Sequence, residues 1–169
     1  MRKSSILAAC FLVGFGVSRP SRAAGSSPAA ASSVSGTITV DGKTIPLTHA
    51  YLDESDPDEP IVVLSDEPLP PEAVPFIPEK LVKDGLHAVA FSVSRKVGKL
   101  TNGFGKLYCP GHELGVGFGR VEDGNVALAV GRLDSTGIEG RFTTPRPVKL
   151  SYIAYSFDLN FRAAPREGR

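Results

Sequence analysis

The sequence predicts an all-β protein: an antiparallel meander of about eight or nine strands that forms a closed or nearly closed barrel. Every second residue from 153 to 161 is apolar or aromatic, whereas the other register turns polar, which is the period of a strand with one buried face. Gly, Pro and Asp-Gly or Asn-containing turns divide most of the remaining chain into short apolar segments. Short strands joined by tight turns are typical of sandwiches and barrels.

The final segment, residues 149–162, favours the barrel. A strand of about a dozen residues exceeds the usual five or six and needs several partner strands to bury its aromatic face. Closure into a barrel supplies those partners and removes exposed edges. A two-sheet sandwich is the alternative.

The first half of the chain begins with a hairpin. Residues 36–40 alternate and lead into Asp41-Gly42, a strong hairpin signal, and residues 43–52 return with Pro46 at an edge or bulge. Residues 61–64 form a continuously apolar strand. The next segment holds five prolines between residues 65 and 78 and is irregular, followed by one short helical turn near residues 78–84.

The second half is strand throughout. Apolar residues alternate over three further segments, and glycines occupy one whole register of another, which indicates a close cross-strand neighbour or a bend. The alternating segments are residues 87–94, 126–130 and 138–144, and the glycine register is Gly115, Gly117 and Gly119.

The N-terminus resembles a secretory signal peptide. A basic start is followed by an apolar run at residues 6–17, too short to span a bilayer, and by small residues at Ser21 and Ala23. A lipoprotein signal ending at Cys10 is the alternative. The predicted organisation is a signal peptide at 1–23, a disordered Ser/Ala-rich linker at 24–35, one β-domain at 36–162 and a frayed tail at 163–169. The protein is therefore expected to be exported, periplasmic or extracellular.

Charge argues against nucleic acid as a partner. Residues 1–23 carry four of the 19 basic residues and no acid, so the remainder has 15 basic and 18 acidic residues and a net charge of −3. Residues 53–72 hold eight acids and no Lys or Arg. A net negative domain without a basic stripe is a poor nucleic-acid binder. No later apolar run is long enough for a transmembrane helix.

Cys109 and His112 are the candidate reactive pair. A thiol and an imidazole three residues apart can share a metal or act as a nucleophile pair, and Glu113 adds a carboxylate. The alternative is an ordinary hairpin turn at Pro110-Gly111. No cofactor is predicted beyond a divalent metal at this pair. The acids of residues 53–59 are a second, calcium-type candidate, against a solvated loop.

Four residues are candidate binding residues. His49 shares a strand face with Tyr51, and His87 shares one with Val89, Phe91 and Val93; the set is completed by Tyr108. A half-buried His that is hydrogen-bonded to the backbone is the alternative for both histidines.

Two stretches resemble the opening of a group of uncharacterised secreted bacterial proteins. They are Gly-Thr-Ile-Thr-Val-Asp-Gly-Lys with Leu-Thr-His-Ala-Tyr, at residues 36–43 and 47–51, and Val-Leu-Ser-Asp-Glu-Pro-Leu-Pro, at residues 63–70. The resemblance implies a small β-rich exported domain and no activity.

The functional expectation is a non-enzymatic exported domain that binds a small apolar ligand or an envelope component. Phosphate-loop, serine-hydrolase and zinc-protease motifs are absent from the sequence. The alternatives are an enzyme that depends on Cys and His or on a metal, and an accessory module of an envelope assembly.

Overall fold

The computed structural model describes residues 31–119 and 121–165. These residues form eleven strands, one short helix and two 3-10 turns. The strands are β1 (Ser33–Val40), β2 (Lys43–Pro46), β3 (His49–Asp53), β4 (Ile61–Ser65), β5 (Ala88–Ser94), β6 (Lys99–Cys109), β7 (His112–Gly117), β8 (Ala127–Asp134), β9 (Gly137–Thr143), β10 (Val148–Lys149) and β11 (Ala154–Ala163). The helix is α1 (Glu79–Lys83), and the 3-10 turns are Pro71–Ala73 and Val121–Asp123.

The described strands make two antiparallel sheets. The first sheet has the order β2-β1-β11-β9-β8, with β10 also paired to β11, and the second is the meander β3-β4-β5-β6-β7. The all-β, antiparallel prediction is confirmed. A single closed barrel is not formed by the described strands, and the two-sheet sandwich fits instead, because the chain leaves the first sheet after β2 and returns to it at β8.

Aromatic rings fill the space between the sheets. Phe142 of the first sheet lies with its ring centroid 4.1 Å from that of Phe91 in the second sheet and 4.8 Å from that of Phe157. Phe161 and Phe118 contact the same group edge-on. All five side chains are buried, so this layer contributes to the hydrophobic stabilisation that both sheets share.

A second apolar cluster lies on the other face of the second sheet. Residues 66–86, here called the covering segment, pack Leu69, Val74 and Val82 against Val63 and Ala90 of that sheet. Helix α1 lies in this segment, which confirms the helical turn predicted near residues 78–84. The second sheet is therefore buried on both faces at its centre.

The predicted strand over residues 43–52 is two strands in two sheets. The amide of Leu47 donates to Gly36 in the first sheet, and the amide of Thr48 donates to Ser65 in the second. The chain thus changes sheets between adjacent residues. Pro46 ends β2 at the edge of the first sheet, as predicted from its missing N–H.

The predicted final strand is also shorter than expected. A turn closed by the bond from the Leu150 amide to the Ile153 carbonyl separates β10 from β11. From Ile153 to Phe161 every second side chain is buried, which confirms the aromatic face. The strand lies in the middle of the first sheet, where β1 and β9 flank it.

The structure explains why a glycine is needed at one position of the glycine register, Gly115. Gly115 has φ +79°, and a Cβ there would lie 2.9 Å from Lys106 Cδ and 3.0 Å from Tyr108 Cε1. The predicted cross-strand neighbour is therefore present at Gly115. Strands β6 and β7 pair at Leu107 with Val116 and again at Cys109 with His112. One residue of β6 lies between these two pairs but three residues of β7 do, so residues 113–115 form a bulge.

The predicted boundaries shift slightly at both ends. Strand β1 begins at Ser33, inside the predicted linker, because residues 33–35 pair with β11. Ala163 belongs to β11, and Pro165 forms a bridge with Leu52, so the predicted tail is ordered at its start. The signal peptide and Cys10 lie outside the described residues. Among the residues described, no helix combines the length and apolarity needed to cross a membrane.

Candidate functional site

Cys109 faces the interior between the sheets. Its side chain is 1% exposed, and it is one residue of the core shared by both sheets. Burial, with smaller contributions from the carboxylates of Asp41 and Glu113, raises the pKa of the Cys109 thiol to about 11. A thiol with that pKa is protonated near neutral pH, which is the opposite of what nucleophilic catalysis requires.

His112 is the backbone pairing partner of Cys109, but its side chain lies beside Tyr152. The two residues are register partners across the β6–β7 turn, whereas the His112 ring lies 5.6 Å from the ring of Tyr152. The predicted hairpin turn is present. Within residues 31–119 and 121–165, no three His, Cys, Asp or Glu side chains are grouped as a metal site requires.

The acidic loop between β3 and β4, the calcium-type candidate, also lacks such a metal-binding group among the residues described. Asp53 is buried and accepts a bond from Ser55, and Asp56 accepts the amides of Asp58 and Glu59. Glu54 pairs with Arg95. These carboxylates serve the loop's own turns and one ion pair.

Three of the predicted binding residues share the covered face of the second sheet. His49, Ser65, Ala88 and Tyr108 form one row across β3 to β6. Three strand spacings separate His49 from Tyr108, or about 14 Å. Tyr51 lies on the same face, and its hydroxyl accepts the amide of Leu69 at 2.7 Å. The covering segment occupies the space in which a ligand would contact this row.

His87 is tied to Asp66 at the start of the covering segment. The imidazole Nδ1 lies 2.9 Å from one carboxylate oxygen, and the His87 amide donates to the other, also at 2.9 Å. The Asp66 amide in turn donates to the His87 carbonyl. This reciprocal pair joins the end of β4 to the start of β5. The histidine has a structural partner, but that partner is a carboxylate rather than the backbone group of the predicted alternative.

A groove lies on the outer face of the first sheet. It has a volume of about 600 Å³ and crosses four neighbouring strands: β1, β11, β9 and β8. Apolar residues, among them Val34, Val130 and Phe161, line it together with polar ones. Its lining includes Ser33, Ser35, Ala129, Glu139, Arg141, Asn160 and Arg162.

The charged side chains of the groove differ in how they are paired. Arg141 and Asp158 form two parallel hydrogen bonds of 2.8 and 2.6 Å. These bonds lower the pKa of Asp158. Arg162 has a buried Nε with no hydrogen-bond partner. The groove therefore contains one guanidinium that is paired, that of Arg141, and one whose Nε has no hydrogen-bond partner, that of Arg162.

Sequence reasoning identified the polar register of the last strand but assigned it no role. Ser156, Asp158, Asn160 and Arg162 alternate with the buried aromatic residues. A polar register reads as an ordinary solvated face unless the neighbouring strands are known. Only the pairing of β11 with β1 and β9 brings Ser35 and Arg141 beside Asn160.

A small apolar cluster lies at another place, on the edge strand of the second sheet. Leu114 is 73% exposed on the β7 bulge, and Tyr152 is 60% exposed on the turn before β11. Both line a shallow groove of about 290 Å³ with His112. Exposed apolar side chains grouped in this way are a feature of contact surfaces.

No protein-family profile, curated protein or solved structure matches the chain. The resemblance to secreted bacterial proteins therefore stays a prediction.

Proposed function

We propose that this protein is an exported, non-enzymatic domain that binds a hydroxyl-rich component of the cell envelope in the groove on its first sheet. The groove across β1, β11, β9 and β8 is the observation that carries the proposal. Ser33, Ser35 and Asn160 offer hydroxyl and amide groups, which exchange hydrogen bonds with saccharide hydroxyls. Its volume lies within the range of small-molecule sites.

The other expectations receive less support. A small apolar ligand inside the fold would have to displace the closely packed rings of Phe91, Phe142 and Phe157. A Cys-dependent enzyme would need an accessible thiolate, and Cys109 is buried and protonated. Metal analysis of the purified protein, with and without His112→Ala, tests the metal-dependent alternative; a stoichiometric metal lost in the variant would revive it.

The binding proposal is tested by co-sedimentation with insoluble cell-wall glycan. Ala129 is exposed on β8 opposite Arg141, so Ala129→Trp places an indole over the groove. We expect this variant to lose binding, and Thr44→Trp to retain it. Thr44 is exposed on the same sheet at β2, outside the groove. Equal binding by both variants, with unchanged circular dichroism, would contradict the proposal.

Export is tested separately. Residues 1–23 fused to a reporter that is active only outside the cytoplasm are expected to give activity, and replacing the apolar run 6–17 with polar residues is expected to abolish it. A Cys10→Ser variant that loses membrane association would favour the lipoprotein alternative.

An accessory module of an envelope assembly is the second candidate. The exposed cluster of Leu114, Tyr152 and His112 supports it. Its test is crosslinking in whole cells from a photoreactive residue at position 114. The control position is Val97, which is also an exposed apolar residue, at 60% exposure. A crosslinked partner from position 114 alone supports this second function.

A further inference from the structure

We propose that the groove selects saccharides that carry a carboxylate, and that the guanidinium of Arg162 pairs with that carboxylate. This inference rests on the proposed function and narrows its ligand to an acidic glycan, such as one containing uronic acid units.

The first support is the state of Arg162. Its Nε is buried and has no hydrogen-bond partner, and the residue itself is half-buried in the groove wall. No ion pair to this guanidinium is present in the described part of the chain. A guanidinium that has lost its water partner at one nitrogen without gaining an acceptor carries an uncompensated desolvation cost, and the charge of a ligand carboxylate beside it would offset part of that cost.

The second support is the row in which Arg162 lies. Ser33 is its register partner on β1 and Glu139 its partner on β9, and Glu139 in turn faces Arg132 on β8. Arg132 also has buried guanidinium nitrogens without hydrogen bonds, although Asp134 lies 3.5 Å from its Nε. Cationic donors therefore flank one carboxylate acceptor along this row.

A carboxylated saccharide matches both kinds of group. Its carboxylate accepts from the planar fork of Arg162 in a charge-assisted bond, and a neighbouring ring hydroxyl donates to Glu139. A neutral saccharide would leave the Arg162 donors with neutral acceptors only. A phosphorylated one brings up to about two negative charges close to Glu139, which repels it.

The test measures binding of the secreted chain to trigalacturonic acid and to its fully methyl-esterified form by isothermal titration calorimetry. The ester keeps the sugar and removes the charge. We expect the acid to bind at least tenfold more tightly than the ester, and Arg162→Gln to weaken acid binding about tenfold without changing ester binding. Arg162→Lys, which keeps the charge but loses the fork, is expected to fall between.

The matched control is Arg146→Gln, because Arg146 is exposed between β9 and β10 and does not line the groove. It is expected to bind like the parent chain. Equal affinity for acid and ester, both lost in Ala129→Trp, would overturn the carboxylate assignment and leave the proposed function standing. Tighter binding of a sulfated or phosphorylated trisaccharide would also overturn it. No binding of any saccharide by a folded chain would overturn both proposals.

Discussion

The two sheets share one interior but differ in what lies on their outer faces. In β11 of the first sheet, buried and less buried residues alternate along the strand. In β5 of the second sheet, six consecutive residues are buried. The difference arises because residues 66–86 cover the second sheet, whereas an open groove lies on the outer face of the first sheet.

This difference separates structural residues from binding residues. His49, Tyr51 and Tyr108 lie on the covered face, where the Tyr51 hydroxyl serves the backbone of the covering segment. Burial also raises the pKa of Tyr108. The groove, with Arg162 and Glu139, lies on the uncovered face. A ligand therefore has access to the first sheet, and the covering segment is part of the core of the second.

The largest expected effect concerns the interior that both sheets share. Phe142→Ala removes a ring that contacts residues of both sheets, and we expect a loss of about 3–5 kcal/mol in the free energy of unfolding. Leu114→Ala, at an exposed position on β7, is expected to change it by less than about 0.5 kcal/mol. Urea denaturation measures both. A small loss for Phe142→Ala would mean that the two sheets are not held together by this layer.

The next experiment exchanges the chemistry of the two outer faces. Val63 on β4 is completely buried under the covering segment, so Val63→Thr buries a hydroxyl without a partner and is expected to cost about 1–3 kcal/mol. The reverse change on the first sheet, Thr37→Val, is expected to alter stability by less than about 0.5 kcal/mol, because Thr37 is exposed on β1. Thermal unfolding of the pair compares the faces directly. Equal costs would mean that the covering segment does not exclude water.

The sequence predicted which side chains of a strand are buried better than it predicted which element packs against them. The alternation from Ile153 to Phe161 depends only on local period, and it was correct. The apolar run of residues 61–64 correctly predicted a strand. Its cover, the proline-rich segment that follows, has no period from which packing could be predicted. Sheet closure and the exchange of sheets at Leu47 depend on partners distant in sequence. For that reason the barrel was preferred over the sandwich.

The candidate site was missed for the same physical reason. Its residues come from four strands, and each strand contributes only three consecutive residues to the lining. Histidine, tyrosine and cysteine are readily chosen as candidate site residues in a sequence because their side chains are reactive or titratable. Serine, asparagine and arginine on a strand resemble an ordinary surface until the register brings Ser35, Asn160 and Arg141 side by side.

A smaller effect is expected where the covering segment is fastened. Tyr51→Phe removes the acceptor of the Leu69 amide, so we expect a loss of about 1 kcal/mol and faster hydrogen exchange at that amide. Exchange in β1 and β11 should be unchanged. Tyr152→Phe, at an exposed tyrosine, is the matched control and should leave both quantities as they are. Unchanged exchange at Leu69 in Tyr51→Phe would show that the cover is held without this bond.

The smallest expected effect lies on the uncovered face, in the pair of Arg141 and Asp158. The bonds from Arg141 hold the pKa of Asp158 below its ordinary value, so the pair stabilises the folded chain above the pKa of an unfolded Asp, about 3.9. That stabilisation is lost as the pH falls through the lower folded pKa. The difference in melting temperature between the parent chain and Asp158→Asn should therefore be constant from pH 7 to about 5 and vanish in stronger acid. Because both side chains are exposed, 1 M salt should reduce it at neutral pH. If 1 M salt left the difference in melting temperature unchanged, the pair would be shielded from solvent, as the covered face of the second sheet is.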